Sequence, residues 1–353
     1  MSSFWNQLPQ PIIGLSPMDG VTDFPFRSIQ KEYGQPRLIF TEFTSVEGVC
    51  HGAHKLLNDF LYDESQRPII GQIYGITPDF FRQTSILLCH LGFDGIDINM
   101  GCPAKNVAHS GAGATLITTP IIAQKIIAAV QTGIAQWQNG ANPCDCPNVS
   151  SEIAKDIEDR HQLLPLAYQG RGRQIPVSIK TRVGYDKPVI ENWIPRLLET
   201  GISAISLHGR TLKQHYSGQA SWELIGQAAN LTAQTSTLLL GNGDVVSYQD
   251  AVQKAKDYHV NGVLIGRASM GNPYVFLEKL PAEPTLFKLA LEHAQLFEQT
   301  YANQNGYSFL PMRKHLGWYV KSIPHASEIR IKLFQTNSAT EVKQIFQKYG
   351  LVE

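Results

Sequence analysis

The chain has little charge and little sulfur. Only 17% of its 353 residues are Asp, Glu, Lys or Arg, and 30 basic side chains balance 30 acidic ones to a net charge of zero. A neutral total argues against an indiscriminate nucleic-acid binder, though it leaves room for a local basic patch. The five cysteines, at positions 50, 89, 102, 144 and 146, form no framework of the secreted type and read as reduced thiols. No run approaches the roughly 20 apolar residues of a membrane span. The opening MSSFWNQLPQP lacks the basic start and long apolar stretch of a leader. A cytoplasmic, monomeric protein without a membrane partner is the expectation.

What is present is apolar and periodic. Hydrophobic residues make up 43% of the chain, so there is ample core for one α/β barrel of about 250 residues with an appendage, or for two ordinary domains. Eight short apolar runs decide between them: IIGLSPM from Ile12, LIFTEF from Leu38, IIGQIYG from Ile69, GIDINMG from Gly95, VSIKTRVG from Val177, AISLHGR from Ala204, TLLLGNGD from Thr237 and GVLIGRA from Gly262. Segments with helical spacing lie between them, such as PIIAQKIIAAVQTGI from Pro120. Strand alternating with helix implies parallel strands joined by right-handed crossovers, and eight such units close into a (β/α)8 TIM barrel.

The polar residues then gain a meaning, because they gather at the C-terminal ends of the runs. Met18 and Asp19, Glu42, Gln72, Asn99 with Cys102, Lys180 with Arg182, His208 with Arg210, Asn242 with Asp244, and Arg267 converge on one mouth, where barrel active sites are built. Cys102 stands out within INMGCPAKNV. A cysteine that only filled space would sit inside the apolar run, whereas this one follows it at a sharp turn. GNGD at 241–244 and GRASMGNP at 266–273 follow the last two strands, the usual place for a barrel's phosphate site. Lys180 lies mid-strand and would be costly to bury unpaired, so it is expected to meet an anion or an electron-rich ring.

Two stretches stand outside the barrel rhythm. Residues 138–174, rich in Asn, Pro and charge, read as a surface excursion with a short helix near 151–164. Following a helix and preceding a strand, they belong at the N-terminal face, away from the mouth. Their Cys144-x-Cys146 pair reads as two reduced loop thiols, since structural zinc sites use wider spacing and a second ligand pair. From about 284 onward the pattern is helical without strands, giving a barrel domain at 1–282 and a helical domain at 283–353. Between 311 and 350 seven Lys or Arg face two acidic residues, with Trp318 and Tyr319 interleaved. A solvated helix face and a phosphate-backbone footprint fit this composition equally.

The motifs taken together resemble the tRNA-dihydrouridine synthases: SPMDGVTDFPFR (16–27), QIYG (72–75), DINMGCPAKNV (97–107), SGAGATL (110–116), SIKTRVGY (178–185), SLHGRT (206–211), GNGDV (241–245), LIGRASMGNP (264–273) and MRKHLGWY (312–319). Ser16 stands where most of the family has Ala, and residues 138–174 lie outside its usual core. The resemblance implies a flavin enzyme in which FMN, reduced by NADPH, passes a hydride to C6 of a tRNA uracil while Cys102 protonates C5 as general acid. It implies flavin contacts at Pro17, Met18, Gln72, Lys180, His208, Asn242, Gly243, Asp244, Gly266 and Arg267. It places Asn99, Arg182 and His208 around the uracil and gives Arg313, Lys314 and His315 to the tRNA, with no metal. A small-molecule flavin dehydrogenase of the dihydroorotate or dihydropyrimidine type also pairs Asn with Cys near a flavin, but has no use for a basic helical tail. A non-catalytic RNA-binding protein on a decayed barrel would not keep Cys102, Lys180, His208 and both phosphate turns.

Overall fold

The computed structural model describes residues 4–215, 217–281, 285–321 and 323–353. Its strands are β1 (Ile12–Leu15), β2 (Ile39–Ser45), β3 (Ile69–Tyr74), β4 (Gly95–Met100), β5 (Val177–Gly184), β6 (Ala204–Thr211), β7 (Leu238–Asn242) and β8 (Gly262–Ile265), one in each of the eight apolar runs. All pair in parallel, in the order β1-β8-β7-β6-β5-β4-β3-β2. The remaining seam is closed by the Leu15 N–H donating to the Leu38 carbonyl and the Arg37 N–H donating to the Ile13 carbonyl, both at 2.9 Å. The fold is the (β/α)8 barrel.

Helices alternate with these strands. They are α1 (Phe24–Gly34) after β1, α2 (Val46–Cys50) after β2, α3 (Pro78–His90) after β3, and α4 (Lys105–His109) with α5 (Pro120–Gln138) after β4. The insertion carries α6 (Ser151–Gln162) and α7 (Leu166–Gln169). Then come α8 (Ile190–Leu198), α9 (Trp222–Thr232) and α10 (Tyr248–Asp257) after β5, β6 and β7. Short polar side chains start several of them: Asp23 accepts from the Phe26 N–H at α1, and Ser221 and Ser247 do the same for α9 and α10. No single helix among the described residues is long and apolar enough to cross a membrane.

Strand periodicity sets the polarity of the barrel interior. At its floor Ile12, Leu38, Phe40, Ile70, Ala204, Leu240 and Leu264 bury against Trp5, which the N-terminal turn inserts as a plug. Because side chains alternate faces with period two, the same face two residues later is that of Gln72 after Ile70, Ser206 and then His208 after Ala204, and Asn242 after Leu240. The opposite parity, including Ile96, Ile98, Ile179, Ile205 and Leu207, packs under the helices in the main core. The barrel is therefore apolar at its base and polar at its mouth.

The helical region comprises α11 (Leu286–Tyr301), α12 (Leu310–Tyr319), α13 (Ala326–Leu333) and α14 (Ala339–Lys348). These helices enclose a core of their own around Leu289, Phe297, Met312, Leu316, Leu333 and Phe346, joined by Tyr274 from the segment after β8. The boundary expected at 282/283 falls on residues outside those described.

The insertion differs from a bare excursion. Its helix lies where the sequence placed it, but Cys146, Ile153 and Ile157 are buried in the main core, and only Cys144 is exposed. Asn148 and Gln83 of α3 exchange two hydrogen bonds of 2.9 Å. His161 stacks on His90 at 3.9 Å between ring centroids, and Glu158 meets His90 Nε2 at 2.8 Å. The polar composition of 138–174 conceals an Ile pair at i, i+4, which is enough to give α6 a buried stripe. Ile157→Ala, which opens a void beneath α6, is expected to cost about 2–4 kcal/mol. The check is a lower urea midpoint at unchanged m-value; an unmoved midpoint would mean that α6 detaches without cost.

Candidate active site

The C-terminal strand ends enclose a cavity of about 890 Å³. Its lining holds Pro17, Met18, Asn99, Cys102, Lys180, Arg182, His208, Asn242, Gly243, Asp244, Gly266 and Arg267, so most of the residues singled out in the sequence meet in one place. Asp19, Phe43, Arg210 and Met270 are among the other residues of the wall.

The Cys102 turn is held by a relay of directed hydrogen bonds that starts at a buried carboxylate. Asp97 accepts from Ser178 Oγ at 2.6 Å and from Gln72 Nε2 at 2.7 Å. Gln72 Oε1 then accepts from Asn99 Nδ2 at 3.1 Å, which turns Asn99 Oδ1 toward the chain ahead. That oxygen accepts from the N–H groups of Gly101 and Cys102 at 3.0 and 2.9 Å, the side-chain-to-backbone closure for which Asn is favoured in turns. Arg182 Nε donates to the Gly101 carbonyl at 2.6 Å and fixes the turn from β5. Gln72 is thus fully buried below the cavity and reaches it only through Asn99.

Burial pushes the Cys102 thiol above its ordinary value, and the N–H of Ala104 donating to Sγ at 3.4 Å opposes this in part. The thiol is therefore protonated near neutral pH. Burial likewise pushes the Asp97 carboxyl up to about 6. The Lys180 ammonium is pushed down to about 8 by burial and then by the Arg182 charge. Among the described residues no carboxylate lies within ion-pair distance of Lys180, although the Asp97 charge opposes its depression in part. His208 is driven well below its usual value by burial, then by Arg182, Lys180, Arg210 and Arg267, so its imidazole is neutral. Asp244 binds Arg210 and Arg267, each at 2.6 Å, and the Ala220 N–H at 2.8 Å. Burial raises its carboxyl, but these donors outweigh it and hold the group below the usual range.

Arg313, Lys314 and His315 are not part of this cavity. Arg313 donates to the Thr336 carbonyl and to Asn337 Oδ1, both at 2.7 Å, and Lys314 Nζ donates to the Gly20 carbonyl. His315 is 1% exposed, against Phe26, His293 and Trp318, so its ring cannot touch an RNA from there. Sequence reasoning missed Asp97, whose only signal was a charged residue at the inward parity of an apolar strand, two positions before Asn99.

A family model described as dihydrouridine synthase matches residues 14–136 and 168–350, breaking off across most of the insertion. A probable tRNA-dihydrouridine synthase of Staphylococcus aureus (strain COL) is 34% identical over 98% of this chain and 95% of its own. The probable tRNA-dihydrouridine synthase 2 of Bacillus subtilis (strain 168) is 33% identical over 98% of this chain and 96% of its own. Among solved structures, a DHODH from Eimeria tenella in complex with ferulenol aligns with 64% of this chain and 57% of its own, at 15% identity and a TM-score of 0.39. The chain belongs to the dihydrouridine synthase family.

Asn99→Ala removes the acceptor shared by two turn N–H groups, an expected loss of about 1–3 kcal/mol, and lets the thiol swing into solvent. In the wild-type protein, carboxymethylation of Cys102 should accelerate only above the ordinary thiol range, since a raised pKa leaves less thiolate at any given pH. In Asn99→Ala the acceleration should move to lower pH. Peptide mass spectrometry separates Cys102 from the exposed Cys144, and identical Cys102 profiles for the two proteins would contradict the assigned role of Asn99.

Proposed function

We propose that this chain reduces uridines in tRNA to 5,6-dihydrouridine, with FMN held in the barrel mouth and NADPH as the reductant. The observation that carries this reading is a protonated thiol, fixed by Asn99 at the rim of a cavity whose wall bears Lys180, Arg182 and a neutral His208. The similarity to probable tRNA-dihydrouridine synthases supports tRNA as the substrate class.

The residues present fit FMN. The cavity volume of about 890 Å³ lies in the range of cofactor pockets. Gly243 has φ +129°, and a Cβ there would lie 2.5 Å from Ala220 Cβ and 3.1 Å from the His208 ring, so the β7 turn admits only glycine. Together with Gly266 and Arg267 it would hold the phosphate, while Asn242, fixed by its amide donating to the Leu264 carbonyl at 2.9 Å, Pro17 and Met18 would border the ring. Gln72 would act one step removed, by orienting Asn99. Lys180, with no ion-pair partner of its own, would face the negative charge of the reduced flavin.

FMN, when bound, supplies the electrons that saturate the uracil C5–C6 bond. The chain's own part is protonic and geometric. Cys102 delivers its proton to C5, and its raised pKa keeps that proton in place at neutral pH. His208 and Arg182 offer a neutral and a cationic partner to the uracil carbonyls. The base has to leave its stack to enter the mouth, which tRNA loops permit more cheaply than a duplex does. Since Arg313, Lys314 and His315 are engaged within the protein, phosphate contacts fall to the exposed Lys321, Lys343 and Lys348.

The test is dihydrouridine formation in unmodified tRNA, followed by mass spectrometry with FMN and NADPH present. Cys102→Ala should slow the reaction on the order of 10²- to 10⁴-fold, the usual weight of general acid catalysis, without changing flavin reduction by NADPH. Loss of flavin reduction, or a wild-type rate on tRNA, would overturn the general-acid role. Lys321→Ala and Lys343→Ala should each lower the slope of log affinity for tRNA against log salt by about one unit; unchanged slopes would move the RNA footprint elsewhere.

A further inference from the structure

A basic cluster outside the active-site cavity is the run Arg313-Lys314-His315 on α12. His315 is buried, Arg313 and Lys314 are half-buried, and each joins a different part of the molecule. Arg313 ties α12 to the turn before α14 through Thr336 and Asn337. His315 is buried between Phe26 at the start of α1 and His293 of α11, at ring separations of 5.5 and 4.9 Å. Lys314 crosses from the helical domain to the Gly20 carbonyl, in the loop that carries Pro17, Met18 and Asp19 along the cavity wall.

Within itself the loop closes on Met18, whose carbonyl accepts from the Val21 and Thr22 N–H groups at 3.0 and 2.9 Å, and Arg27 Nη1 holds the Thr22 carbonyl at 2.6 Å. Thr22 accepts from the Met18 N–H at 3.0 Å and returns a bond to the Met18 carbonyl at 3.1 Å. Gly20 lies between them at φ +65°, with its carbonyl turned outward to Lys314. The loop's carboxylates, Asp19 and Asp23, lie in the field of the same ammonium. The other end of α12 bears on the neighbouring wall. Gly271, at φ +72°, lies so close to Trp318 that a Cβ would come within 2.4 Å of its carbonyl oxygen, and Trp318 packs on the barrel core beside Met270. One helix thus braces both loops, after β1 and after β8, that bound the cavity.

We propose that Lys314 is a positioning residue: through the Gly20 carbonyl it sets the loop that presents Pro17 and Met18, so that the helical domain holds the flavin side of the mouth in shape. The inference rests on the flavin reading of the cavity given above. It differs from a phosphate-contact role for Lys314 in what each variant changes.

Lys314→Met keeps the apolar stem and loses the donor. In the full chain, FMN titrated into apoprotein without tRNA should bind about three- to tenfold more weakly than to wild type, the range of one lost hydrogen bond. Amide hydrogen exchange of residues 18–22 in the apoprotein should rise, while the salt slope of tRNA affinity stays at the wild-type value. Lys314→Arg, which can still donate to Gly20, should recover both FMN affinity and protection. Unchanged exchange in Lys314→Met, or unchanged FMN affinity with a salt slope lower by about one unit, would overturn the proposal. If wild-type protein bound no FMN, the functional reading would fail, and the exchange measurement would still decide whether Lys314 holds the loop.

Discussion

Asp97 is the fixed point from which the geometry of the mouth follows. A carboxylate can only accept, so Ser178 and Gln72 must both point donors at it. With the Gln72 amide turned that way, its oxygen faces Asn99, and Asn99 has to offer its NH₂ there and its oxygen to Gly101 and Cys102. Each amide orientation is forced by the one before it. Three strands, β3, β4 and β5, are thereby committed to one side-chain network, and the thiol at its end inherits a position that a turn alone would not define. The same burial that raises the Asp97 carboxyl makes the network intolerant of a missing partner, because an unpaired polar group in that place would bear its full desolvation penalty.

Around this fixed point the mouth carries an excess of positive charge. Lys180, Arg182, Arg210 and Arg267 line it together with two carboxylates, Asp19 and Asp244, and Asp244 pairs with Arg210 and Arg267. Burial, and after it the neighbouring cations, depresses Lys180 and leaves His208 neutral. The excess is what an anionic occupant would offset. Phosphate-bearing ligands satisfy that condition, and the arrangement accounts for a chain of zero net charge that still presents a strongly basic centre.

The barrel was legible in the sequence because its strands obey a two-residue period and their polar residues fall at one end. The site was legible for the same reason, with Cys102, Lys180 and His208 each following apolar residues of the floor or core. Asp97 was not, since one acidic residue in GIDINMG reads equally as a chance polar position until its partners on β3 and β5 are known. The Arg313-Lys314-His315 run was only partly legible, because His315 is buried while Arg313 and Lys314 are half-buried and hydrogen-bonded within the protein. Composition reports that cations are present but not which way they face, and α12 buries Met312, His315, Leu316, Gly317 and Tyr319, so His315 falls on the inward face. His315 shows the consequence most directly, because its buried ring has neither nitrogen paired among the described residues.

The insertion and the helical domain illustrate opposite ways of adding to a barrel. Residues 138–174 join at the N-terminal face, where Ile153, Ile157 and Cys146 extend the core outward from α3; the family model can therefore break off between 136 and 168 while matching the motifs on both sides. The C-terminal helical region joins at the mouth and cannot be separated from it in the same way. Its helix α12 supplies Lys314 to the loop after β1 and Trp318 to the loop after β8, and Gln30 of α1 meets the Ser269 carbonyl at 3.3 Å between them. An addition at the base can vary freely in sequence so long as a few apolar residues reach the core, whereas one at the mouth is constrained by every atom that it holds in place beside the cavity.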